Sequence, residues 1–184
     1  MPDLAGEKTL YYGFTGPIDS AHATRIASAL NAAANEHYEK VYIAFSSLGG
    51  YVADGVFLYN LIRSMPYTTV MHNTGSVASI ATAVFVAADE RLTSSYANFM
   101  IHPTSIQNPE GMTAERLQDS LNSALTEDSR TENILRERCS IPDHVLTQRR
   151  FKDVHITAEA ALEYGLVTSV EEFVLPQGVQ ILQI

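Results

Sequence analysis

Residues 40-KVYIAFSSLGGYVADGVFLYNLIRSM-65 place a strand, a glycine turn and a helix in immediate succession. The first part, 40-KVYIAFSS-47, is mostly apolar, with β-branched and aromatic side chains, and its length suits a buried parallel strand. Gly49 and Gly50 follow at once. From Tyr51 onward, Val52, Val56, Tyr59 and Ile62 repeat at helical spacing, with Leu58 and Leu61 widening the apolar face. Pro66 ends the segment. Gly55 lies inside this helix, where it costs about 1 kcal/mol relative to alanine. Its expected return is close packing.

The same alternation continues on both sides. Upstream, 8-KTLYYGFTG-16 reads as a strand closed by Pro17. Asp19 or Ser20 can cap a helix that carries Ala23, Ile26, Ala27, Leu30 and Ala34 and ends near Glu36. Downstream, 68-TTVMHN-73 reads as a strand. From Val77 to Ala88 the chain is small and apolar on every side, the pattern of a buried helix. Alternating strands and helices predict an α/β fold: a mostly parallel sheet, covered by helices, with right-handed connections.

The second half is less regular. Two short strands are expected at 91-RLTSS-95 and 99-FMIHP-103, then a loop at 104-TSIQNPEGM-112. Thr113 can cap a helix over 114–138, with Leu117, Leu121 and Leu125 on one stripe and no hydrophobic anchor in 126-TEDSRTEN-133. Such a helix is roughly 37 Å long, more than a compact core of this size needs. It is expected to project or to pack against another subunit. Pro142 opens a short helix to Gln148, Thr157 caps 158-AEAALEY-164, and Gly165 stops it. A strand is expected at 166-LVTSV-170, and the tail is broken by Pro176 and Gly178. The whole, 1–184, reads as a single domain.

Composition narrows the function. Hydrophobic residues make up 46% and charged residues 18%, which is a folded composition. Twelve Lys and Arg against 21 Asp and Glu give a formal charge of -9, so a nucleic-acid partner is not expected. Arg149 and Arg150, the one adjacent basic pair, read as solvated surface. Cys139 is the single cysteine, so no intrachain disulfide can form; it reads as a small packed hydrophobe. The first residues show no signal-peptide pattern and no apolar run has membrane-spanning length. The expectation is a soluble, cytoplasmic chain. Histidines show no metal-ligand spacing, and neither GxGxxG nor GKS/GKT occurs, so no metal or cofactor is expected.

Three side chains could do chemistry together. Ser79 stands at the start of the apolar helix, His102 at the end of a short strand, and Asp153 in a turn before the Thr157 helix. Singly they read as a capping hydroxyl, a loop histidine and a surface carboxylate. Together they could form a nucleophile, its base, and the group that fixes the base's tautomer. Their spacing gives no local proof, and the order Ser, His, Asp matches none of the common triads. Ser76 is a rival to Ser79, and Ser46 and Ser76 otherwise read as local hydrogen-bonding groups. The Gly49-Gly50 turn can present backbone amides to an anion or serve only as a turn.

Several ordered segments resemble the Clp protease proteolytic subunits, a family of self-compartmentalised serine peptidases. These are 13-GFTGPID-19, 41-VYIAFSSLGGYVADGVFLYNLI-62, 74-TGSVASIATAVFVAA-88, 98-NFMIHP-103 and 152-KDVHITAEAALEYGLV-167. The resemblance runs from about Tyr12 to Val170. It implies the ClpP/crotonase-like fold of repeated β-β-α units with a long handle helix. It assigns the nucleophile to Ser79, the base to His102 and the carboxylate to Asp153, with oxyanion donors at the amides of Gly50 and Ile80. It further implies hydrolysis of peptides or unfolded polypeptides through an acyl-enzyme, homo-oligomeric rings (heptameric in the family) and an AAA+ unfoldase partner.

There are departures. Leu48 replaces the turn proline, Lys152 stands where the family usually has arginine, and 104–112 lacks a run of glycines. The amino terminus does not resemble the usual axial loops. Two alternatives stay open: an inactive structural or binding member of the same fold, and a crotonase-like enzyme using the glycine turn to stabilise a thioester enolate. A coenzyme A requirement would mark the latter.

Overall fold

The computed structural model describes residues 8–106, 111 and 113–184. Part of the expected 104–112 loop and the amino-terminal segment lie outside the described residues. The elements run β1 (Thr9–Thr15), α1 (Ser20–Asn35), β2 (Lys40–Ser47), α2 (Val52–Arg63), β3 (Thr68–Ala78), α3 (Ile80–Phe85), β4 (Glu90–Thr93) and β5 (Asn98–Ile101). They continue with α4 (Ala114–Arg138), α5 (Asp143–Arg149), β6 (Val154–Ile156), α6 (Ala158–Glu163), β7 (Ser169–Val170) and β8 (Ile181–Gln183). Among the described residues the strands join one sheet in the order β6-β5-β3-β2-β1-β8, with β4 pairing β3 and β7. Every pairing is parallel except β5 with β6. The expected mostly parallel α/β architecture is thus present.

Helix ends follow their capping residues. Asp19 Oδ1 accepts from the His22 amide at 2.9 Å, and Thr113 and Thr157 hydroxyls accept from the Arg116 and Ala160 amides. Gly165, at φ 67°, ends α6. In β2, Val41, Ile43 and Phe45 are buried while Tyr42, Ala44 and Ser46 are half-buried. The strand is therefore covered fully on one face only, less than its apolar sequence suggests. Central β3 is buried on both faces from Thr69 to Asn73. Gly55 of α2 has the packing role expected of it: a Cβ there would collide with the Ile80 side chain of α3.

Three expectations are corrected. The helix expected from Val77 is strand as far as Ala78, because Ser76, Val77 and Ala78 pair with Asn98, Phe99 and Met100 of β5. Only Ile80–Phe85 is helical, and all six residues are buried. β3 therefore forks, its first half pairing β4 and its second half β5. The strand expected at 166–170 shrinks to Ser169–Val170, since the Leu166 and Val167 amides still donate to Ala161 O of α6. Arg149 is not solvated surface: it is 2% exposed and pairs with Asp128 and Glu132 of α4. That pairing also anchors 126–133, where Thr131 and Glu132 are buried although no large apolar side chain is present.

Candidate active site

The fork in β3 sets the site. Ser79 is the first residue beyond the strand and the cap residue of α3, with φ 58° and ψ -134°. A side chain at positive φ is strained by about 1–3 kcal/mol and persists only where its surroundings fix it. Here they do. The Ser79 amide donates to Met100 O at 2.8 Å. Its carbonyl accepts from the Thr82 amide at 3.0 Å and Thr82 Oγ1 at 2.6 Å. The hydroxyl makes no capping bond to the helix, so the simple reading of Ser79 as a cap does not hold.

The glycine turn lies against Ser79. Gly49 has φ 97°, and a Cβ there would stand 2.7 Å from Ser79 Cβ and 3.2 Å from its Oγ. The turn is fixed by Ile18, whose amide donates to Gly49 O at 2.9 Å and whose carbonyl accepts from the Tyr51 amide at 2.8 Å. Ser47 Oγ accepts from the Gly49 amide and donates to Gly16 O. Between these anchors the Gly50 amide has no intramolecular acceptor among the described residues, and the same holds for the Ile80 amide at the start of α3. Gly50 and Ile80 both border one cleft with Ser79 and His102, of about 380 Å³. Unengaged amides beside a hydroxyl are the arrangement that stabilises a developing oxyanion.

His102 follows β5 directly and is half-buried. Asp153 immediately precedes β6, is exposed, and does not line the cleft. The antiparallel register pairs Ile101 with Val154; continued by one step, it sets His102 against Asp153. Among the described residues no hydrogen bond joins His102 to Ser79 or to Asp153. The structure thus brings Ser79, His102, Gly50 and Ile80 to one cleft and leaves Asp153 outside it. Ser76 does not line the cleft; its backbone amide donates to Ser46 Oγ at 3.2 Å, and Ser46 Oγ donates back to Ser76 O.

Sequence reasoning missed the polar wall of this cleft. Thr104, Thr131 and Arg149 line it. Arg149 lost its signal by standing next to Arg150, and α5 turns only the first of the two inward. Elsewhere Cys139 packs at the edge of the core, and burial pushes its thiol up to about 11, which suits a packed hydrophobe. Among the described residues no group of three or more His, Cys, Asp or Glu side chains could hold a metal ion, and no helix is long and apolar enough to cross a membrane.

The chain and its fold match known proteins. The Clp protease family model matches residues 6–173, and the chain belongs to that family. It is 27% identical over 160 residues to the ATP-dependent Clp protease proteolytic subunit 2 of Pseudomonas aeruginosa, covering 85% of this chain and 78% of that one. It is also 27% identical over 157 residues to the ATP-dependent Clp protease proteolytic subunit 3 of Rhizobium etli, covering 84% and 80%. Among solved structures, a point mutant of ClpP1 from Listeria monocytogenes superposes with a TM-score of 0.75, covering 91% of this chain and 92% of that one at 20% identity. That likeness is one of fold.

Proposed function

We propose that this chain is a serine endopeptidase that hydrolyses peptides or unfolded polypeptides through an acyl-enzyme. His102 takes the Ser79 proton as Oγ attacks the scissile carbonyl, and then gives it to the leaving amine. Asp153 holds the imidazole tautomer and stabilises its charged form. The Gly50 and Ile80 amides receive the oxyanion. Water then repeats the sequence on the ester and frees the second product. The observation that carries this reading is the Ser79 backbone, held at positive φ with its hydroxyl free beside an unengaged amide pair and His102.

The active unit is an assembly of copies of this chain, as the relatives' designation "proteolytic subunit" suggests. Leu117, Leu121 and Leu125 on one face of α4 are 44%, 45% and 54% exposed and supply an apolar contact surface. A closed assembly would select substrates by access, admitting short or unfolded chains.

A second reading is favoured by one observation: Asp153 stands outside the cleft and no hydrogen bond links the three side chains. In that reading the chain is an inactive member that assembles without cleaving. Fluorophosphonate labelling of the assembled protein, read by mass spectrometry, separates the two. Stoichiometric adduct on Ser79, lost in Ser79→Ala, supports the peptidase. Adduct on Ser76 keeps the class and moves the nucleophile. No adduct, with assembly verified, favours the inactive member.

A further inference from the structure

The β5–β6 ladder ends at Ile101–Val154, so no sheet hydrogen bond fixes His102 or Asp153 beyond it. Something else must hold the two segments. Thr104 lies two residues past His102 and Arg149 four residues before Asp153, and both are held by one oxygen. Asp128 Oδ1, from the middle of α4, accepts from the Thr104 amide at 2.7 Å and from Thr104 Oγ1 at 2.9 Å. The same oxygen stands 3.4 Å from Arg149 Nη2. Glu132 also ties α5 to α4, through Arg150 at 2.8 Å and Arg149 at 3.6 Å, but it makes no bond to the Thr104 segment. Among the described residues, Asp128 is the carboxylate that reaches both.

Arg149 explains why the clamp is stiff. It is 2% exposed, its Nη1 has no hydrogen-bond partner, and removal of its counter-charges would leave a buried cation uncompensated. Removing Asp128 would therefore leave the buried guanidinium with Glu132 alone as counter-charge and release Thr104 at the same time.

We propose that Asp128 is a positioning residue that sets the separation of His102 and Asp153; this rests on the peptidase reading above. It touches no reacting atom. Its effect falls on proton transfer from Ser79, because an imidazole displaced by about 1 Å can lose roughly 100-fold in rate.

The test uses the full-length assembled protein and two readings: the rate of fluorophosphonate reaction at Ser79, and kcat and KM for a fluorogenic peptide. Asp128→Ala is expected to slow labelling by roughly 100-fold and to lower kcat while KM stays near the wild-type value. Asp128→Asn keeps an acceptor for Thr104 but removes the charge facing Arg149, and should return part of the rate. Wild-type labelling by folded Asp128→Ala overturns the proposal. So does failure of Asp128→Asn to recover the rate when its denaturation midpoint is normal. If Asp128→Ala does not fold, the double variant Asp128→Ala with Arg149→Met takes its place, since it removes the clamp without leaving a buried cation short of counter-charge, and a wild-type labelling rate there overturns the proposal equally. Absence of labelling in the wild type itself removes the peptidase reading, whereas a labelled wild type with unaffected variants sinks the Asp128 proposal alone.

Discussion

Ser79 occupies a backbone conformation that favours glycine, and the proposed mechanism gives its hydroxyl as the reason a side chain stands there. Ser79→Gly should relieve the positive-φ strain, whereas Ser79→Ala keeps it. The glycine variant is expected to exceed the alanine variant in stability by about 1–2 kcal/mol, measured by urea denaturation, with both unable to label. Equal midpoints would show that the strain is absent in solution. His72 supplies a second prediction. It is fully buried, with Nδ1 2.6 Å from Tyr42 Oη and Nε2 3.2 Å from Ser94 Oγ, and burial lowers its pKa. The folded state thus binds a proton less readily than the unfolded chain, whose histidine titrates near 6.5. Stability should fall as pH drops below about 6.5, and His72→Gln should flatten that part of the curve. A wild-type slope retained in the variant would assign the effect elsewhere. At this scale the meeting of Ser79 and His102 in one cleft was signalled by the ordered words around them, not by their spacing. Asp128 was not, because nothing in 126-TEDSRTEN-133 distinguishes the carboxylate that clamps from those that are solvated.

Among the elements, α3 shows how a helix without a polar face ends inside a protein. Its C-terminal region is buried, and the carbonyls there still need donors. Arg138, the last residue of α4, supplies them: Nε donates to Val86 O at 2.9 Å and Nη2 to Ala88 O at 3.2 Å. Arg91 adds a bond to Val86 O and another to Arg138 O. Arg138→Met keeps the length of the side chain and removes the donors. It should cost about 1–3 kcal/mol, read as a lowered urea midpoint. An unchanged midpoint would mean that other donors replace them. The boundary between β3 and α3 was the fold's least legible point. The stretch 74-TGSVA-78 has small residues that suit either state, and β5 decides by pairing with it. Strands β6 and β8 escaped for a related reason: three residues show no period until a neighbour is known. The long helix was readable to the residue, because Thr113 caps it and its polar run has no breaker.

The whole molecule leaves α4 with three exposed leucines in one stripe along a single helix face. Exposed residues contribute little to the stability of a single subunit. Replacing Leu117, Leu121 and Leu125 together by serine should therefore leave the urea midpoint of the dissociated chain within about 0.5 kcal/mol per site. Sedimentation velocity should nonetheless show a smaller particle than the wild type. An unchanged sedimentation coefficient would place the subunit contact elsewhere. The sheet carries a further consequence. β1 finds its outer neighbour in β8, pairing Tyr11, Tyr12 and Gly13 with Ile181, Leu182 and Gln183, and the Ile184 amide donates to Gly13 O at 3.0 Å. During synthesis β1 must wait for a partner strand about 170 residues further along the chain. Until then 10-LYYGF-14 presents an open row of amides and carbonyls in an aromatic, uncharged stretch, which is a template for pairing with another nascent chain. Loss of β8 would restore that template in the finished protein, so damage to this one strand becomes an aggregation hazard before it touches the chemistry.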